Sequence, residues 1–201
     1  MSASLDIDTP HGPARAELHE VAKPKGAIIL GHGAGGGVEA PDLVAATAAA
    51  NDAGFTVALA LQPYRVAGKR SQPVAAKLDE AWTAIVERLR EERFAGLPLI
   101  SGGRSAGARV ACRTAGAVGA EAVLCLAFPL HPPGKPERSR VDELEAVEVP
   151  VLVVQGESDP FGMPPEGASR EVVRVRGNHG LKADLDAVSS AVGEWLPTVV
   201  G

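Results

Sequence analysis

Aromatic residues are scarce in this chain: four Phe, two Trp and one Tyr among 201 residues. A core must therefore be assembled from Ala, Val, Leu and Ile, and the stacking platforms of single-strand nucleic-acid modules have little to be built from. Basic residues are not in excess either. Lys and Arg number 20 against 25 Asp and Glu, for a net charge of -5, so no positive field invites a phosphate backbone and no nucleic-acid partner is expected. Cysteine is nearly absent. Cys112 and Cys125 both sit in apolar surroundings without metal-ligand spacing and read as small core residues. No apolar run approaches the roughly 20 residues that span a bilayer. The first 14 residues are polar and lack the apolar segment of a secretory signal, so a soluble, cytoplasmic protein is expected. Neither a cofactor nor a metal is expected.

What is present is the composition of an ordinary globular protein, 45% hydrophobic and 22% charged. The length suits one domain over 1–201, with 1–14 expected as an irregular leader. Ala14 to Val21 alternates weakly, as an antiparallel edge strand would. Ala27-Ile28-Ile29-Leu30 is a continuous apolar strand that runs into a glycine-rich stretch at 31–37. A helix is expected from Pro41 to Ala53, stopped by Gly54, then a strand from Phe55 to Leu61 and a basic loop over 63–70. Val74, Leu78, Trp82, Ile85 and Leu89 recur at helical spacing and predict an amphipathic helix over 73–93. Further strands are expected at 97–101, 122–127, 149–155 and 172–175. A short helix is expected near 141–147, and a closing helix carries Leu185, Val188, Val192, Trp195 and Leu196. Strands alternate with helices, and most strands are apolar on both faces. That pattern predicts an α/β fold: a mostly parallel sheet of about seven strands flanked by helices. In such sheets function gathers in loops at the carboxyl ends of strands.

The most informative stretch is Gly103-Arg104-Ser105-Ala106-Gly107, a G-x-S-x-G pattern between a strand and an Ala-rich helix. A strand that feeds a helix through so tight a turn exposes the central hydroxyl above a helix N-terminus, where negative charge is favoured. A serine hydroxyl needs a base, usually a histidine oriented by a carboxylate. In this arrangement the chain order is Ser, acid, His. Downstream, the strand ending at Gln155 leads to Asp159, with Glu157 as the competing acid, and the next strand leads to His179. His11 and His19 precede the core, and His32 and His131 stand in the wrong order for the base.

The stretch 31–37 admits two readings. Gly31, Gly33 and Gly36 satisfy G-x-G-x-x-G, but the next strand ends in Leu61-Gln62-Pro63 without the acid a dinucleotide site wants; Asp52 has about the spacing but sits at a helix end. No Gly-Lys-Ser/Thr follows, so a P-loop is excluded. The alternative is an oxyanion loop, with backbone N–H groups of Ala34 and Ala106 as the two donors.

Taken together, Gly31–Gly36, Gly102–Arg109, Phe128–Pro136, Gln155–Gly162 and Asn178–Lys182 resemble the α/β-hydrolase superfamily. More narrowly they resemble its compact, dienelactone-hydrolase-like branch of bacterial hydrolases, which has relatives in a eukaryotic chromatin-complex subunit. The resemblance spans about 26–199. It implies an α/β-hydrolase fold without a large lid and a nucleophile, acid and base at Ser105, Asp159 and His179. Dienelactone hydrolases proper carry a cysteine nucleophile. Serine stands here, so their substrate does not transfer, and a small ester or thioester is expected instead. His32, Arg65, Arg104 and His131 are the candidate substrate-binding residues; Arg65 and Arg104, with Lys69, Arg70 and Lys135, would suit an anionic group or simply face solvent. The competing reading is an idle α/β-hydrolase fold used as an interaction module.

Overall fold

The computed structural model describes residues 3–200. Its strands are β1 (Ala3–Thr9), β2 (Gly12–His19), β3 (Gly26–Gly31), β4 (Phe55–Leu61), β5 (Leu99–Arg104), β6 (Ala122–Leu126), β7 (Val151–Gly156) and β8 (Arg170–Val175). The helices are α1 (Pro41–Asp52), α2 (Pro63–Val66), α3 (Ala75–Glu92), α4 (Ala106–Thr114), α5 (Val141–Glu145) and α6 (Leu185–Val199). The strands form one sheet in the order β1-β2-β4-β3-β5-β6-β7-β8. β3 to β8 run parallel, and β2 joins β4 antiparallel.

The continuous apolar strands are explained by burial on both faces. In β3, Ala27 and Ile29 join the core on one side while Ile28 and Leu30 join it on the other, as the two-residue period of a strand requires. Residues of α3 and α4 pack into the first core and those of α1 and α6 into the second. The chain steps from β3 to β4 on one side of the sheet and returns to β5 on the other side of β3. Between β3 and β5 the order therefore reverses, and their carboxyl ends open a crevice of the kind where α/β sheets bind ligands. Loop 31–37 and the Ser105 turn both lie there.

Four expectations need correction. The stretch 1–14 is no irregular leader in its described part: β1 and β2 pair from Ala3–Leu18 to Thr9–Gly12 as a hairpin. β2, expected at the edge, is consequently an inner strand with β1 at the edge of the eight-stranded sheet. Val74 does not belong to the buried stripe of α3. It is the extended residue that caps the helix and is 68% exposed. The basic loop is also partly ordered as α2, because Pro63 supplies a pre-set first turn. Cys112 and Cys125 are buried with sulfurs 3.5 Å apart and unbonded. The shared S–H contact, followed by burial, raises the Cys125 thiol well above its ordinary range.

Candidate active site

The G-x-S-x-G stretch folds as a sharp turn from β5 into α4. Ser105 has φ 52° and ψ -110°, in the region that L side chains avoid. Such a conformation costs about 1–3 kcal/mol and persists only where the surroundings enforce it. Here they do, because β3 passes very close. A Cβ on Gly103 would stand 2.6 Å from the Gly31 carbonyl oxygen, and one on Gly107 would stand 2.5 Å from the same atom. The two glycines are thus what allows the elbow to lie against the end of β3.

Three loops converge on the hydroxyl. His179, after β8, has Nε2 2.9 Å from Ser105 Oγ. Its Nδ1 is 2.8 Å from Oδ2 of Asp159, in the loop after β7. The Asp159 side chain is 1% exposed and that of His179 18%. Each oxygen of the buried carboxylate is met by protein donors: Phe161 N–H donates to Oδ1 at 2.8 Å, and the Gln155 amide donates to Oδ2 at 2.8 Å. Phe161 also lies beside the imidazole, ring centroids 4.2 Å apart. Glu157, the competing acid, is exposed. A proton on His179 Nδ1 directed at Asp159 leaves Nε2 free to accept from the serine.

The backbone N–H groups of Ala34, in the loop after β3, and of Ala106, at the start of α4, make no backbone hydrogen bond among the described residues. Ala106 opens α4, whose nine-residue length gives its N-terminus a partial positive charge. Ala34 is held by its neighbours. Tyr64 Oη donates to the Ala34 carbonyl at 2.7 Å, and His32 donates to the Gly33 carbonyl at 2.7 Å. A narrow slot next to Ala106 and Gly107 is lined by Gln62, Tyr64, Leu78 and Trp82, and through Gln62 and Tyr64 it adjoins a cleft of about 350 Å³.

The family of alpha/beta hydrolase domains matches residues 24–183. The chain belongs to that family. Solved structures agree on the architecture of this α/β hydrolase. A serine hydrolase without a lid from Xanthomonas campestris superposes with a TM-score of 0.76 at 24% identity, covering 98% of this chain and 95% of that one. Est1E from Butyrivibrio proteoclasticus, with ferulic acid bound, gives 0.80 at 19% identity over 98% and 99% of the two chains. A dienelactone hydrolase from Anabaena variabilis gives 0.80 at 16% identity over 100% and 99%. No curated protein sequence matches significantly.

In this α/β hydrolase the four candidate substrate contacts separate. His32 lines the slot but is 3% exposed, and both ring nitrogens are engaged with backbone, so neither is free to bond a substrate. Burial holds its pKa below the ordinary value. Arg104 likewise turns inward, onto Asp42 and the His179 carbonyl. Arg65 folds back on its own loop, donating to the Lys69 carbonyl at 3.1 Å. His131 stands against Gly162, and its backbone N–H donates to the Phe161 carbonyl at 2.9 Å.

Four participants escape sequence reasoning: Gln155, Tyr64, Phe161 and Asp42. Gln155 carried a usable signal, a lone amide at the end of the apolar run Val151–Val154. Asp42 carried none, since an acid in a helix's first turn is ordinary. Among the described residues no three His, Cys, Asp or Glu side chains gather as a metal site, and no helix is long and apolar enough to cross a membrane.

Proposed function

We propose that this protein is a serine hydrolase that cleaves a small ester or thioester through an acyl-enzyme on Ser105. The observation that carries this reading is the unbroken chain from Ser105 Oγ to His179 Nε2 at 2.9 Å and from His179 Nδ1 to Asp159 Oδ2 at 2.8 Å. As Oγ attacks the carbonyl carbon, His179 Nε2 takes its proton, and Asp159 holds the productive tautomer and steadies the imidazolium. The carbonyl oxygen becomes an anion held by the Ala34 and Ala106 N–H groups; such a donor is typically worth about 100- to 1000-fold in turnover. Collapse returns the proton from His179 to the leaving alcohol or thiol. Water then repeats the sequence on the acyl-serine and releases the acid.

The reading favours a small acyl group, because the slot beside Ala106 has a volume of about 10 Å³, room for about one water. The 350 Å³ cleft would receive the rest of the substrate. Arg65 and His131 are kept as substrate contacts; His32 and Arg104 are not.

The test is intact-protein mass after treatment with a fluorophosphonate. One adduct is expected on the wild type, none on Ser105→Ala, and much slower labelling of His179→Ala. A folded wild type that takes up no adduct removes the hydrolase reading and leaves the interaction module.

A further inference from the structure

Arg104 immediately precedes the proposed nucleophile, yet its side chain points away from the cleft. Nε donates to Asp42 Oδ2 at 2.8 Å, and Nη2 donates to the backbone carbonyl of His179 at 3.0 Å. The Asp42 side chain is completely buried and that of Arg104 19% exposed. The other Asp42 oxygen accepts from Leu43 N–H at 3.1 Å, which anchors the carboxylate to the first turn of α1. Loop 31–37 leaves room for the guanidinium: a Cβ on Gly33 would stand 2.8 Å from Nη1. One planar group thus joins the elbow and α1 to the loop that carries His179, and passes against the glycine-rich loop on the way.

A buried ion pair of this kind is weak evidence for stability, because removing two charges from water offsets most of their attraction. Its distinctive property is geometric. The guanidinium is a rigid fork whose donors point in fixed directions, which lysine cannot reproduce. His179 sits in the connection between β8 and α6, and the distance from its Nε2 to Ser105 depends on where that connection is held. Asp159 orients the ring, but it belongs to a different loop from the elbow. Arg104 links the His179 main chain directly to the residue next to Ser105.

We infer that Arg104, held in place by Asp42, is a positioning residue that fixes the His179 loop against the nucleophile elbow. Its catalytic consequence rests on the serine-hydrolase reading above; the geometric role does not. Misplacing a reacting group by about 1 Å costs on the order of 100-fold in rate, so the effect of losing this tie appears in the chemical step rather than in binding.

The experiment uses Arg104→Met, Arg104→Lys and Asp42→Asn, each checked for folding by circular dichroism, with two readouts. The first is fluorophosphonate labelling resolved into the inactivation rate and the reversible affinity. The second is the low-field proton resonance of the His179 Nδ1–H bound to Asp159, which requires no catalysis. In Arg104→Met the inactivation rate is expected to fall about 10- to 100-fold with affinity unchanged, and the low-field proton to broaden or vanish. Arg104→Lys restores the rate in part. A folded Arg104→Met with the wild-type inactivation rate and an intact resonance overturns the inference. If that variant does not fold, Asp42→Asn decides: it unties Arg104 without removing it, so a slower rate and a broadened resonance support the role, and wild-type values overturn it. A wild type that is not labelled but shows the resonance, with loss in Arg104→Met, removes the hydrolase reading and keeps the positioning role.

Discussion

His32 Nδ1 donates to the carbonyl oxygen of Gly33 at 2.7 Å, and the tautomer follows from the opposite side of the ring, where Nε2 accepts from Gln62 N–H at 3.0 Å. In a trans peptide the N–H points opposite the carbonyl. By pinning the Gly33 oxygen, the imidazole also sets the direction of the Ala34 N–H. A histidine that reads as a substrate contact in the sequence is thus a buried brace for the loop.

This brace is neutral, and that makes it sensitive to acid. Burial lowers the His32 pKa in the folded state, whereas the unfolded chain titrates near pH 6.5. Its contribution is therefore complete above about pH 6.5 and is lost as pH falls towards the folded value, because only the unfolded state takes up the proton. Burial shifts Asp42 upward, partly offset by Arg104, so Asp42 works in the opposite sense; it is common to both proteins of the comparison. Urea unfolding of the wild type and His32→Asn between pH 7.5 and 5 should show the wild type losing up to about 1.4 kcal/mol more per pH unit. Parallel pH curves would contradict the assignment.

The elbow allows a steric prediction with an internal control. Gly107→Ala places a methyl group 2.5 Å from the Gly31 oxygen, whereas one on Gly116 has nothing within 4 Å. Gly107→Ala should cost about 2–3 kcal/mol, and Gly116→Ala no more than about 0.5 kcal/mol. Equal melting temperatures for the two would show that the close approach of β3 is not what the glycine serves.

Asp159→Asn should separate orientation from fold. The amide can turn its N–H towards His179 Nδ1, which drives the proton onto Nε2 and leaves nothing to accept from Ser105. Fluorophosphonate labelling at neutral pH should slow by about 1,000- to 10,000-fold in a folded protein. Glu157→Gln, at an exposed position, should label like the wild type. The reverse ranking would move the acid to Glu157.

Tyr64→Phe removes the hydroxyl that donates to the Ala34 carbonyl. A stability loss of about 1 kcal/mol is expected. If that bond helps aim the oxyanion donor, turnover of a small ester falls about tenfold with KM unchanged. A change confined to KM would instead make Tyr64 a wall of the cleft.

Much of this arrangement was legible in the sequence, for identifiable reasons. Strands such as Val151–Val154 announce themselves because burial on both faces demands unbroken apolar runs. Ser105, Asp159 and His179, which the structure links by hydrogen bonds, were singled out because the expected order of nucleophile, acid and base places each after a strand. The first strand of the opening hairpin was misread: Ala3–Thr9 is polar at alternate positions because one face is open to solvent, and a half-exposed edge strand has the composition of a loop. His32 and Arg104 were assigned to substrate because polar side chains near a site look alike until their partners are known. Their partners, Gln62, Asp42 and the His179 carbonyl, lie 30, 62 and 75 residues away, and no local pattern encodes such distances.

The opening hairpin lies outside the matched span 24–183, yet β2 pairs with β4 along Arg15–Leu61 to His19–Val57. Without it, β4 would present a bare row of amides and carbonyls, and strands in that condition recruit other chains. The segment thus acts as a selvedge on the sheet. Its outermost strand carries Asp6 and Asp8, with Asp6 paired to Arg15, and charged side chains at a margin discourage a further strand from joining. The margin of the sheet is thereby guarded by strands that stand apart, in the order β1-β2-β4-β3-β5, from the one that leads to Ser105.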